Sequence, residues 1–399
     1  MTNEMKRVPE LRFPEFNREW EYNLFSEIVT NKSKRFDPKN EESLKDIELD
    51  SIEQNTGRLL NTYMSKDFTS QKNKFDKGSV LYSKLRPYLN KYYYAKIDGV
   101  CSSEIWVLNS LYSQKLSNLF LYYFIQTNRF SNVANKSAGS KMPRADWSLV
   151  ENIRLYKGSI EEQRKIGDFF SKLDRQIELE EQKLSLLEEQ KKGYMQKIFS
   201  QEIRFKDDNG NDYPNWENEK LGNLINEVNE RTTSNNQYVL LSSTKSGLLS
   251  QEEYFKKQIG SKDSTGYKIL RLNQLVLSPQ NLWLGNINFN QRFNIGIVSP
   301  SYRIYNLSHQ FDINFAKDLL KSPRYIYEYA QASEQGASVV RRNLNLELFY
   351  SIKISLPSIE EQRKIGAFLD KLDKLIRKQY NKIEVLKQRK KGLLQKMFI

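Results

Sequence analysis

The chain has one cysteine, Cys101, and one histidine, His309, in 399 residues. That scarcity excludes a disulfide framework, a CxxC zinc site, a Cys/His dyad built from sequence neighbours and a histidine-rich metal centre. His309, in the polar context NLSHQFD, reads as a surface residue. Long apolar runs are missing too. The longest, LFLYYFI at Leu119 to Ile125, is far too short to span a bilayer and reads as a buried helix or strand. The opening MTNEMKRVPE has no apolar core of the kind a signal peptide needs, so a soluble, cytoplasmic protein with no membrane partner is expected. No glycine-rich loop ends in Gly-Lys-Ser/Thr, and no G-x-G-x-x-G follows a strand signal, which argues against nucleotide hydrolysis and against a dinucleotide cofactor.

What is present is positive charge. Lys and Arg number 63 against 49 Asp and Glu, giving a net +14 and a pI of about 9.4, a balance that favours a polyanion such as nucleic acid. A merely soluble basic protein is the plainer alternative. The length suffices for two domains, each with its own core. SPSY at Ser299 to Tyr302 looks like an amino-methyltransferase loop, but Ser301 stands where that loop has a second proline, so it reads as a turn. Acids near lysines, as in EIRFKDD at Glu202 to Asp208, arise by chance in a chain this charged.

One nonapeptide, SIEEQRKIG, stands at Ser159 to Gly167 and again, letter for letter, at Ser358 to Gly366, an offset of 199. At the same offset KLD recurs at Lys172 to Asp174 and Lys371 to Asp373, and KKG at Lys191 to Gly193 and Lys390 to Gly392. Upstream the match fades, with FPEF at Phe13 to Phe16 set against YPNW at Tyr213 to Trp216, an offset of 200. The chain is therefore a tandem duplication, each copy having a variable part first and a well-matched part last.

The well-matched parts have a helical period. Steps of four and three give Ile166, Phe170, Leu173, Ile177, Glu180, Leu184, Leu187 and Lys191 in the first copy. The second reads Ile365, Leu369, Leu372, Ile376, Gln379, Ile383, Leu386 and Lys390. Polar residues interrupt both seams at the same two steps, as a register-setting device would; two amphipathic helices packed separately on their own domains are the alternative. Glu161 to Phe199 holds nine acids and eight bases, and Glu360 to Ile399 five and twelve, so the two helices should attract. Forty helical residues reach roughly 60 Å, the length of a spacer. Paired antiparallel, such helices would form a coiled coil with the variable parts at opposite ends, related by a pseudo-two-fold axis.

The expected fold class is α/β, with domains at 1–158 and 201–357 and conserved spacer helices at 159–200 and 358–399. GSVLYSKL and NQLVLSPQ read as strands running into loops, ENIRLYKG and YSIKISLPS as short strands, and SNLFLYYFIQTNRF and INFAKDLLKSPRYIYEYAQ as helices. In YSKLRPYLNKYYYAK, Lys84, Arg86 and Lys91 suit phosphates or the O6/N7 edge of guanine, and Asn90 suits adenine; a solvated loop is the alternative. A second basic point follows small residues in SAGSKMPRADW (Lys141, Arg144) and QGASVVRRNLN (Arg341, Arg342). The second copy's loop SPQNLWLGNINFNQR offers Gln280, Asn281 and Arg292 instead, so the two domains should read different things.

Two diverged α/β domains alternating with two EQRKIG…LD helices, together with LYSKLRPYLNK, MPRADW and LPSIEEQRKI, closely resemble the specificity (S, HsdS) subunit of type I restriction-modification systems over essentially the full length. The resemblance implies two target-recognition domains, each reading half of a split, asymmetric double-stranded DNA site, and an antiparallel coiled coil that sets the gap and docks partners. It implies a non-enzymatic chain that binds no cofactor. Two modification (M) methyltransferase subunits would bring S-adenosylmethionine, and restriction (R) subunits ATP and Mg. Lys84, Arg86 and Lys91 inherit a DNA-facing role through the intact SKLRPYLNK. The second domain departs from that motif, so Arg292, Arg303, Arg341 and Arg342 are nominated on chemistry alone. A stand-alone methyltransferase or nuclease, and a scaffold binding only protein, are the competing readings.

Overall fold

The computed structural model describes residues 8–136, 141–244, 247–255, 263–335 and 342–399. Two continuous helices, Ile160–Phe199 and Ile359–Met397, dominate it. The chain forms two compact units, Met1–Gln182 with Asn381–Ile399, and Lys183–Tyr380, so each unit takes one half of each long helix.

In the first unit a four-stranded antiparallel sheet runs in the order Val29–Thr30, Ile105–Ser110, Val80–Ser83, Tyr92–Tyr94. A five-stranded sheet runs Arg35–Phe36, Lys72–Phe75, Gly99–Ser102, Lys45–Ile47, Tyr63–Met64, with the Lys45–Ile47 and Gly99–Ser102 pair parallel. The second unit repeats the four-stranded order with Ile225–Val228, Arg303–Leu307, Leu275–Leu277 and Ile287–Phe289. No helix among the described residues is long and apolar enough to cross a membrane.

The two apolar segments expected as helices are each broken in two. Asn118–Phe124 is followed by Asn128–Ala134, and Ile313–Leu319 by Pro323–Gln331. In the first, the Thr127 hydroxyl turns back onto the Phe124 carbonyl at 2.7 Å. In the second, Pro323 has no N–H to continue the ladder and starts a new helix from the Ser322 cap. The run LFLYYFI lies largely inside the first of these helices, buried from Phe120 to Ile125.

Inside each unit the helix halves run antiparallel and close the core. In the first, Ile166, Phe170, Leu173 and Leu386 are buried with Trp20, Phe25, Phe120 and Phe398, and Ile177 packs against them half-buried; Ile383 is also buried. In the second, Ile365, Leu369 and Leu372 join Phe315, Tyr329 and Phe349, while Leu184, Leu187 and Ile376 are half-buried. Each fully buried side chain of this size contributes about 1.5 to 3 kcal/mol.

The polar interruptions have partners. Lys390 Nζ meets Asp174 at 2.6 Å in the first unit, and Lys191 Nζ meets Asp373 at 2.6 Å in the second. These are the repeated KKG and KLD letters, used reciprocally. Around them the copies have diverged: Asp174 accepts from the Tyr123 hydroxyl, whereas Lys191 also grips Asp318 at 2.7 Å. Glu180 pairs with Lys382, and Gln379 is buried.

The nonapeptide docks each domain onto its helix. Ser159 Oγ caps the Glu162 N–H, and Ser358 Oγ the Glu361 N–H, both at 3.3 Å. Glu162, 1% exposed, takes a two-pronged bond from Arg12 and one from the Trp20 indole at 3.1 Å; Glu361, 0% exposed, takes the same from Arg204 and Trp216. Gln163 accepts from Ser117 N and donates to the Lys115 and Gly158 carbonyls, and Gln362 does likewise with Asp312, Gln310 and Pro357. A Cβ on Gly167 would stand 2.9 Å from Leu119 Cγ, and on Gly366 2.9 Å from the Phe315 nitrogen, so only glycine allows these approaches. Trp216 thus corresponds to Trp20, not to Phe16, which corrects the upstream alignment: indole position, four residues away from the match of letters, is what the buried carboxylate selects.

Candidate nucleic-acid interface

The two basic motifs of the first domain meet. Strand Val80–Ser83 ends in Lys84-Leu85-Arg86, which lies against Pro143 to Ala145: Leu85 bridges Arg144, Arg86 N donates to the Pro143 carbonyl at 2.7 Å, and Ala145 N to the Lys84 carbonyl at 2.8 Å. The tight turn Pro87–Leu89 follows, flanked by Arg86 (φ 51) and Asn90 (φ 48), both left-handed. Non-glycine residues held there carry backbone strain, which the flanking hydrogen bonds sustain.

Among these side chains Lys84, Arg86 and Lys141 have no partner among the described residues, and Arg86 and Lys141 are exposed. The others are engaged. Arg144 holds Glu104 with two bonds, at 2.9 and 3.2 Å. Lys91 donates to the Leu49 carbonyl, and the Asn90 amide donates to Asn55 Oδ1 at 3.0 Å.

In the second domain Gln280 and Asn281 occupy the loop after strand Leu275–Leu277, and Arg342 N donates to the Gln280 carbonyl at 3.3 Å. The Arg342 guanidinium lies 4.4 Å over the Trp283 ring. The Gln280 and Asn281 side chains have no partner among the described residues. Arg303, opposite Leu277, is held by Glu227 at 2.6 Å, and Arg292 by Glu253, so neither is free in this state. Arg341 lies outside the described residues.

Several candidates escaped sequence reasoning. Tyr88, 55% exposed, stands at the tip of the first loop, and only its place beside Arg86 marks it in the sequence. In the second domain Lys268 is buried near Arg231 and Arg303; burial pushes its ammonium below the usual lysine range, and the two arginines add to that against Glu227. Nothing in its local pattern marks it. A cleft of about 830 Å³ opens in the first unit, lined among others by Asn90, Tyr92, Lys96, Asp174 and Lys390. Cys101 is fully buried, and burial raises its thiol well above the ordinary value. Among the described residues no three or more His, Cys, Asp or Glu gather as a metal site.

The family described as type I restriction modification DNA specificity domain matches twice, over residues 17–189 and 195–387. The EcoDI specificity subunit of a type I restriction enzyme from Escherichia coli is 28% identical over 167 residues, 41% of this chain and 37% of that protein. The MjaVIII specificity subunit from Methanocaldococcus jannaschii is 24% identical over 322 residues, 74% of this chain and 73% of that one. The aligned stretch thus spans well under half the length of the first relative. In fold, the chain is similar to the S subunit of a type I restriction-modification system from M. genitalium, with a TM-score of 0.57 at 15% identity over 98% of this chain and 99% of that one. A chain from a study of complex assembly and conformational transition in a type I R-M system gives 0.57 at 18% identity over 95% and 97%. With both matched segments together spanning most of its length, the chain belongs to the type I restriction-modification DNA specificity family.

Proposed function

We propose that this chain is the sequence-specificity subunit of a type I restriction-modification complex, itself non-catalytic, in which each recognition domain reads one half of a bipartite, asymmetric double-stranded DNA site. The observation that carries the reading is the paired loop of the first domain. It presents Lys84, Arg86 and Lys141 without internal partners, while the matching loop of the second presents the amides of Gln280 and Asn281. Cations hold phosphates or the O6/N7 edge of guanine, and amides pair with the N6/N7 edge of adenine, so the two loops suit different half-sites. For Arg144, Arg292 and Arg303 a phosphate would exchange with the carboxylate each now holds.

The long helices would set the gap and dock two modification subunits. Within the repeated nonapeptide, Glu161, Arg164, Glu360 and Arg363 face solvent in both copies, whereas the cap, the buried Glu, the Gln and the Gly serve internal docking. Two identical exposed patches suit two copies of one partner. Methyl transfer from S-adenosylmethionine, and ATP- and Mg-dependent cleavage, would reside on the modification and restriction subunits, with no cofactor on this chain.

The test is a genome-wide map of N6-methyladenine in cells expressing this chain with its modification subunits, against cells lacking it. The expected result is a split motif with a fixed gap that appears only with the chain. Active modification subunits that yield no such motif would overturn the reading.

A further inference from the structure

A turn at residues 53–58 meets the first reading loop face to face. Asn55 N donates to the Asn90 carbonyl at 3.0 Å, and the Asn90 amide returns a bond to Asn55 Oδ1. Asn55 is also left-handed, at φ 63. Gly57, at φ 72, lies so close over Tyr122 that a Cβ there would stand 1.9 Å from the hydroxyl. One side of this turn is thus fixed to the reading loop and to helix Asn118–Phe124.

Its other side reaches the helix pair. Arg58 Nε donates to Glu53 at 3.0 Å, and its Nη1 to Glu181 of the first long helix; Glu181 also takes Lys387 Nζ of the second at 2.9 Å. At the repeat offset of 199, Glu181 and Lys387 correspond to Tyr380 and Glu188. Tyr380 is 54% exposed, and neither has a hydrogen-bond or ion-pair partner among the described residues. Both copies kept the Lys–Asp pair of the seam, but among the described residues only the first carries this second tie.

We infer that Arg58 is a positioning residue for the first reading loop: by gripping Glu181 beside Lys387 it fixes Asn55, and through the Asn55–Asn90 pair it sets the left-handed turn that carries Arg86 and Tyr88. This rests on the function proposed above. Arg58 is 37% exposed, and an ion pair so placed adds little to global stability, so its consequence is orientation. Among the described residues the second domain shows no such tie at the corresponding positions; its own ion pairs to the helices include Lys191–Asp318 and Lys317 with Asp370 and Asp373.

The experiment combines Arg58→Ala, Glu181→Gln and the double variant in complexes assembled with modification subunits. Each is titrated with duplexes altered base by base in either half of the mapped motif. Both single variants are expected to lose about three- to tenfold in discrimination at the half that Arg86→Ala also affects, with the other half and the gap unchanged. The double variant should lose no more than either single one, because the residues act through one another. Losses that add would make Arg58 a direct DNA contact, and equal losses at both halves would make it a general structural residue; either result overturns the inference. A wild-type complex with no split motif would instead overturn the function on which it rests.

Discussion

Two buried carboxylates, Glu162 and Glu361, do the same work in each copy. A charge removed from water is tolerated only when its lone pairs are filled, and here a two-pronged guanidinium and an indole N–H fill them. Glu162→Gln keeps the shape but leaves Arg12 without its counter-charge, so the first unit should lose about 3 kcal/mol in chemical denaturation. Glu361→Gln should do the same to the second. A loss below about 1 kcal/mol in both would show the pairs to be incidental. Cys101 offers a probe of the same unit. Its thiol is buried and held protonated, so a thiol reagent at neutral pH should label it only as the five-stranded sheet unfolds. Rapid labelling in buffer without denaturant would contradict that burial.

The seam of the long helices shows how a duplicated element diverges without losing its register. Lys191→Ala would leave the buried Asp318 without its ion-pair partner in the second unit, Asp373 keeping Lys317 at 3.5 Å, whereas Lys390→Ala leaves Asp174 still bound to the Tyr123 hydroxyl. The first change should therefore cost about 3 kcal/mol and the second clearly less, read as separate unfolding midpoints. Acid should act on the other tie. Burial pushes the Glu181 carboxyl up, but Lys387 and Arg58 more than offset this and hold it below the usual glutamate range. Its contribution is then complete above the ordinary value of about 4.3 and is lost as pH falls through the depressed one, a sensitivity that Glu181→Gln should remove. Repeated letters, heptad steps and matched polar interruptions made the helices, their partnership and the duplication legible in the sequence. The partners of the buried carboxylates were not, since Arg12 and Arg204 lie 150 and 157 residues from Glu162 and Glu361 and share no pattern with them. For the same reason the sequence nominated Arg144, Arg292 and Arg303 as cations while hiding Glu104, Glu253 and Glu227, which occupy them. The breaks before Asn128 and Pro323 were legible only in part: a proline stops a helix visibly, but a threonine whose hydroxyl turns back onto the carbonyl three residues earlier does not.

Over the full chain, the basic excess and the helix length make separate claims about DNA. Lysines and arginines that neutralise phosphates release counterions, so the affinity of the assembled complex should fall steeply between 50 and 200 mM salt, by about a thousandfold if six phosphates are engaged. A scaffold that binds only protein would show little DNA affinity at any salt. Under the proposed function, gap length would depend on the helices instead. One heptad added in register to both preserves the apolar seam and lengthens the pair by about 10 Å, close to three base-pair steps of about 3.4 Å. The modification map of such a variant should show the same two half-sites with a gap longer by about three. Because three base pairs also turn the duplex by roughly 100°, given about 10.5 per turn, while a heptad turns the helices only about 20°, the recognition domains would meet their grooves less squarely. Methylation should become weaker while the bases read stay the same. A variant that reads a new half-site would place sequence recognition in the helices, and one that keeps the old gap would remove them as its determinant.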